Sequence, residues 1–458
     1  MSDFNKEELI NKIKQNFEDI SNSKYLANPI VGFFLSYAKE NGEVFESPED
    51  FIYTRKGKNP SVLFHLNIVS FEDIISDILR IDQTEKKIES NYGMEIISPI
   101  ILLINLLQEN DLDFEILLTF KNVAGEDLTN FFDYSIIKSK KVINLNYSGM
   151  FGIVDSSSES RVALINIPIE RIENDEKISI EILLNSLVGG ISGSEIDKQR
   201  QNSVKLIVNL IRQMKSKVDF SIEDFNAGDR LYFIPRDAKV KICVENKFKS
   251  DLKEYFEIVS DEFITKILKM EPDIKLSYEE NGERETHPIN NNDFEKLISF
   301  IELCPVGIFS TLDDNKLVES SVNISKLRTY EDVIRIAVLI RSNSESVFDE
   351  IIEKIKIATN VSKADMRIIN DLPLWKRKNK SDIRNLFLNS FENLSKENLE
   401  ISQTHESLDA SLLQNHIDDL DMINFGIKIL REGNSQITLA DDICLSYNVI
   451  ANMLRNLD

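Results

Sequence analysis

A chain of 458 residues is too long for one ordinary core, so two or three domains are expected, each able to bury a sizeable interior. A net charge of -23 and a pI near 4.8 argue against general affinity for nucleic acid or anionic membranes, whose phosphates would be repelled. Cys243, Cys304 and Cys444 stand far apart and suggest neither a disulfide framework nor a zinc ribbon, which fits a reducing cytoplasm.

Taken in chain order, MSDFNKEELINKIKQNF is a polar amphipathic helix without the apolar core of a signal peptide. No stretch reaches the length of a membrane span; ISPIILLINLLQ comes closest. A helix is expected around 28–41, then short strands at 50–54 and 61–69, a helix around 71–80 and the apolar helix 96–109. FEILLTF (114–120) and KVINLNY (141–147) are β-rich runs separated by a helix-like segment. Such alternation indicates an α/β fold, a sheet with helices on its faces. From about residue 159 the texture changes. RVALINIPIERI, KISIEILLNSL, DRLYFIPRDAKVKICVE, LVESSVNISKLR and VIRIAVLIRS read as strands, with 196–217, 249–270 and SVFDEIIEKIKIATN as helices. This suggests a separate α+β domain ending near residue 370, after which a helix-strand-helix remainder returns to complete the first sheet.

The strand VLFHLNIV carries one imidazole and one amide two residues apart. Side chains at that spacing share a face, so His65 and Asn67 point the same way while Phe64, Leu66 and Ile68 pack behind them. A His-x-Asp at this place would serve a metal well; an amide carries no negative charge and is a poor zinc ligand. On the residues alone the strand is either a metal site, the remnant of one, or a buried strand with a hydrogen-bonded histidine. Histidine is scarce, limited to His65, His287, His405 and His416, and no HExxH, CxxC pair, Walker loop or Gly-x-Ser-x-Gly occurs. GGISG around Ser192 reads as a Gly-rich turn, and VAGED and DFNAGDR as turns with acidic ends.

In order, VLFHLNIV, YGMEIISPIILLINLL, LLTFKNVAGED, VINLNYSG, SLVGGISGSEI, DFNAGDRLYFIPR, ESSVNISKL, LIRS and THESLDAS resemble the aminoacyl-histidine dipeptidases, also called cytosolic non-specific dipeptidases, of the dinuclear-zinc peptidase clan. The resemblance spans nearly the whole chain and is strongest in GGISGSEI and DFNAGDRLYFIPRDA. It implies a zinc-peptidase-like α/β catalytic domain, a central mixed sheet flanked by helices, built from residues 1–158 and 370–458. An α+β lid domain, 159–369, is implied between them.

The family pattern assigns roles, and the sequence departs from it at almost every one. The first metal-binding strand is implied at His65, with Asn67 where the family has the orienting Asp. The metal-bridging Asp falls on Glu95, and the general base and following ligand fall on Asn122 and Val123. A fourth metal position becomes Asn146, and the last ligand falls near Gly433 or Asn434. Ile191 replaces the lid histidine, Asp409 stands where the family has Glu, and His405 and Arg341 persist as remnants of substrate binding. His405 and Asp409 also have helical i,i+4 spacing and are expected either to pair or to lie on an exposed helix face. Arg341 suits either a substrate carboxylate or a salt bridge.

Zinc needs about four nitrogen, sulfur or anionic oxygen ligands, and two zinc ions need compensating charge. Valine has no donor, and Asn122 cannot serve as a carboxylate base. The segment between His65 and Glu95 is rebuilt as the helix SFEDIISDILR, and Ile96, Ile97 and Pro99 are expected to fill part of the pocket. The expectation is therefore a catalytically degenerate dipeptidase homologue with no bound metal or cofactor, acting as a cytoplasmic binding or scaffold protein. It would engage a protein partner or form a homodimer, with no nucleic acid and no membrane. The alternative is an active metal-dependent dipeptidase with a rearranged or mononuclear zinc site.

Overall fold

All six side chains of the strand Val62–Asn67 are buried, because helices cover one face of its sheet and a 3-10 turn with its surrounding loops covers the other. The computed structural model describes residues 29–47, 50–68, 80–82, 87–90, 93–120, 132–146, 152–172, 174–198, 200–312, 317–395, 399–432 and 435–457. The chain divides into two compact units. One comprises Met1–Ser157, Trp375–Gln403 and Leu408–Asp458, the other Ser158–Leu374 and Thr404–Ser407.

Among the described residues the larger sheet of the first unit has eight strands. Their spatial order is Glu43–Ser47, Phe51–Lys56, Phe114–Thr119, Val62–Asn67, Lys141–Asn144, Asp421–Gly426, Gly152–Ser157 and Glu400–Thr404. Val62–Asn67 lies parallel to Phe114–Thr119 on one side and to Lys141–Asn144 on the other, and Asp421–Gly426 continues the parallel core. Of the two strands that the C-terminal part of the chain adds to this sheet, Asp421–Gly426 sits inside it and Glu400–Thr404 lies at its edge.

Strand alternation sorts the side chains into two cores. Phe64, Leu66, Phe114, Ile116, Ile143 and Ile423 face the helices Pro29–Asn41, Met94–Leu107, Asp382–Leu394 and Ala440–Arg455. Leu63, Leu117, Val142 and Met422 face Phe132, Tyr134, Trp375 and Leu413. His65 and Asn67, in phase with Leu63, belong to this second face.

Among the described residues the second unit is built on a nine-stranded sheet. Eight strands run in the order Lys275–Thr286, Asn174–Asn185, Ala238–Val244, Ser221–Ala227, Leu317–Thr329, Val333–Ser342, Glu159–Pro168 and Asp365–Leu372, and Gly307–Leu312 pairs with Leu317–Thr329. The helices Ser203–Lys215, Lys249–Ile267, Asn291–Leu303 and Glu345–Val361 bury their apolar stripes on it.

Several expectations are corrected. DFNAG, read as a turn, is the end of the strand Ser221–Ala227, and only Gly228, at φ 65°, makes the turn. The strands Lys275–Thr286, which is mostly polar, and Gly307–Leu312, whose apolar Ile308 and Phe309 stand side by side, show no alternating pattern and escaped the reading. The expected N-terminal helix and the helix at 71–80 fall outside the described residues, apart from Arg80 in a short strand.

Candidate polar site on the parallel sheet

The parallel register places His65 opposite Asn144 on one neighbour and opposite Leu117 on the other, with Asn67 opposite Thr119. Residues in register share a face, so four polar side chains converge on the second face of the sheet: His65, Asn67, Thr119 and Asn144. All four are at least 97% buried.

They form a directed chain of hydrogen bonds. Asn144 Nδ2 lies 2.9 Å from His65 Nδ1, and an amide NH₂ can only donate, so Nδ1 accepts and carries no proton. The neutral tautomer then holds its proton on Nε2, which faces Thr119 Oγ1 at 3.3 Å. Thr119 Oγ1 donates to Asn67 Oδ1 at 3.1 Å, and Asn67 Nδ2 donates to Asp409 Oδ2. Asp409 enters from the 3-10 turn Asp409–Asn415, which lies over this face. Burial pushes the His65 imidazole down to about 4, which agrees with a neutral ring among uncharged partners.

Asn146 closes the end of the ladder. Beyond the strand Lys141–Asn144 its side chain imitates a backbone, accepting from the Asn67 amide N at 2.8 Å and donating to the Asn67 carbonyl at 2.6 Å. Asn144 Nδ2 also reaches Asn146 Oδ1 at 3.0 Å. Both amide groups therefore spend their donors and acceptors on the protein.

A zinc ion bound at His65 would need a nitrogen lone pair. The lone pair on Nδ1 is directed at the Asn144 amide and Nε2 carries the proton, so this arrangement offers neither. Among the described residues no group of three or more His, Cys, Asp or Glu side chains is placed to hold a metal. The donor set around His65 is three amides, one hydroxyl and one carboxylate, a poor match to zinc.

The remaining predicted positions are scattered. Glu95 lies in the first turn of Met94–Leu107, where Gly93 at φ 81° begins the helix, and its Oε2 is buried with no donor among the described residues. Ile96 and Ile97 do not fill the pocket beside His65; they pack into the helix-side core, as the rest of the helix Met94–Leu107 does. Ile191 is 40% exposed on the short strand Gly190–Ile191. Asn122, Val123 and Gly433 lie outside the described residues.

His405 and Asp409 do not pair, because residues 405–408 are not helical and each finds partners within its own unit. His405 Nε2 lies 2.7 Å from Ser321 Oγ and Nδ1 lies 3.2 Å from Ser158 Oγ. Burial, reinforced by the Arg341 cation, pushes the imidazole down to about 3. Arg341, 3% exposed, donates to Ser192 Oγ at 2.7 Å and lies over the Tyr232 ring.

Sequence reasoning missed Asn144 and Thr119. The signal was present for Asn144: INLN places it two residues before Asn146, on the same face of a strand. Only the parallel register reveals that this face adjoins His65.

The chain is homologous to the cytosol non-specific dipeptidase of Escherichia coli (strain K12), with 24% identity over 324 residues, 68% of this chain and 64% of that protein. The matched region is thus just under two thirds of that relative's length. The structure of aminoacylhistidine dipeptidase from Vibrio alginolyticus superposes with a TM-score of 0.68 at 20% identity, covering 97% of this chain and 96% of that one. An M20 family metallo-carboxypeptidase from Sulfolobus solfataricus superposes with a TM-score of 0.51 at 9% identity, covering 97% and 98%. These likenesses show the fold. No protein-family model matches the chain.

Proposed function

We propose that this protein is a catalytically degenerate homologue of the dipeptidases it resembles, keeping the scaffold and acting by binding rather than by hydrolysis. The observation that carries the reading is the hydrogen-bond chain Asn144–His65–Thr119–Asn67–Asp409, which occupies both ring nitrogens of His65 with uncharged partners. In place of the charged carboxylates a metal pair requires, Asn67, Asn144 and Asn146 satisfy one another and the backbone. Asn122, at the position assigned to the general base, has an amide that cannot take a proton from water at neutral pH.

A scaffold without its metals still needs something to bind. A protein partner or a second copy of the chain suits the reading better than a small peptide, because most of the polar positions that would anchor a peptide have changed and only Arg341 and His405 persist. The same relationship supports a cytoplasmic location, and three cysteines that are all buried and form no disulfide among the described residues fit it. Among the described residues no helix is long and apolar enough to cross a membrane.

The test is elemental analysis of protein purified without chelator and dialysed against zinc, beside a hydrolysis assay with an Xaa-His dipeptide. Substoichiometric metal and no turnover, unchanged in His65→Ala, is the expected result. One or two tightly held metals, with turnover lost in His65→Ala or Glu95→Gln, would overturn it in favour of an active dipeptidase with a rearranged or mononuclear site.

A further inference from the structure

A cavity of about 60 Å³ lies in the first unit beside the first turn of the helix Asp382–Leu394. Asp155, Lys376, Lys378 and Arg384 line it, with Trp375, Leu420 and Met422 as apolar wall. Its volume is that of roughly four water molecules, enough for one of the smallest amino acids.

Asp155 is 2% exposed. Its Oδ2 takes both available guanidinium groups, Arg384 Nη1 at 2.7 Å and Arg377 Nε at 2.8 Å. Its Oδ1 is equally buried and has no donor among the described residues. A buried carboxylate oxygen left without a donor is costly, so an orphan oxygen on a residue that lines a cavity calls for a donor from whatever fills it.

The surrounding charge makes a second demand. In a chain of net charge -23, Lys376-Arg377-Lys378-Asn379-Lys380 is an exposed run of four cations without an acid. Arg384 and the positive end of the helix add to it, although Asp421 already caps the Ile383 amide N at 3.0 Å. An anion lacking a donor would face Asp155 Oδ1, and a simple cation would face the lysines and arginines. A molecule with a donor at one end and a negative charge at the other meets both conditions.

We infer that this cavity binds a small α-amino carboxylate. The ammonium donates to Asp155 Oδ1, the carboxylate lies toward Lys376 and Lys378, and the α-substituent rests against Trp375, Leu420 and Met422. The inference does not depend on the state of His65, which belongs to a different site.

Trp375 is the only tryptophan in the chain, so its emission reports on this cavity alone. The full chain is titrated with glycine, L-alanine, acetate, glycolate, ethylammonium chloride and inorganic phosphate. A saturable change with glycine or L-alanine is expected, with the other four at least about tenfold weaker. The exposed double variant Lys376→Glu/Lys378→Glu should weaken the response about tenfold or more while retaining the parent's circular dichroism and melting temperature. No saturable change with either amino acid overturns the inference. So does an equal response to acetate or phosphate, which would mark a general anion site, or tighter binding of glycolate, which would replace the ammonium by a hydroxyl. A double variant that is folded and binds glycine undiminished also overturns it.

Discussion

Asn67 and Asp409 stand 342 positions apart in the sequence, yet the amide of one donates directly to the carboxylate of the other. The bond ties the 3-10 turn Asp409–Asn415 to the parallel core of the sheet and ends the hydrogen-bond chain that begins at Asn144. Removing the carboxylate leaves the Asn67 amide with an unsatisfied donor in a largely buried place. Asp409→Ala should cost about 1–3 kcal/mol. Asp409→Asn, which keeps an acceptor, should recover part of it. Calorimetry would read this as a lower melting temperature, and an unchanged value for Asp409→Ala would remove the bond's claim to hold the turn.

The buried histidine makes stability depend on pH with a definite sign. His65 titrates near 6.5 when unfolded and about 4 when folded, so between these values the unfolded chain binds a proton that the native state refuses. Its contribution is fully favourable above about pH 6.5 and declines as pH falls toward about 4, by an amount on the order of 3 kcal/mol. His405, pushed down to about 3, acts in the same direction in the other unit. Urea titrations from pH 7 to 4 should show the parent losing more stability than His65→Gln. Parallel curves for the two would contradict a neutral buried imidazole.

Chelation offers a direct thermal test of the metal-free reading. A zinc ion bound to the native state at a hundred times its Kd would add about 2.7 kcal/mol. Exhaustive dialysis against a chelator is therefore expected to leave the melting temperature in place. A drop that zinc restores would mean that the native state holds metal.

Gly228 should resist substitution. Its φ of 65° favours glycine, and a Cβ there would stand 2.1 Å from the Ser325 carbonyl oxygen, a backbone atom with little room to move. Gly228→Ala should destabilise the second unit by about 1–3 kcal/mol or more, visible as a lower urea midpoint. An unaffected midpoint would show that the turn can rearrange.

Several features were legible because they are local. The alternation in VLFHLNIV sets His65 and Asn67 on one face and Phe64, Leu66 and Ile68 on the other, and the two cores divide in that way. Two readings failed for the opposite reason. His405 and Asp409 have helical spacing, but Thr404, Glu406 and their neighbours form no helix, and the partners that win are serines and an asparagine from distant parts of the chain. Ile96 and Ile97 looked like pocket filling because proximity in sequence to Glu95 says nothing about which side of a sheet a helix packs on.

The sequence by itself determined which chemistry is available. Val123 has no donor, Asn67 and Asn146 carry amides rather than carboxylates, and one tryptophan stands before one run of cations. Which groups meet was decided by the tertiary structure. Parallel strand register brings Asn144 and Thr119 against the His65–Asn67 face, and the packed 3-10 turn brings Asp409 to its end. Burial then makes the imidazole neutral and leaves one oxygen of Asp155 without a donor. Side-chain identity is a property of the chain alone, whereas register, desolvation and hydrogen-bond closure exist only between segments that folding has brought together.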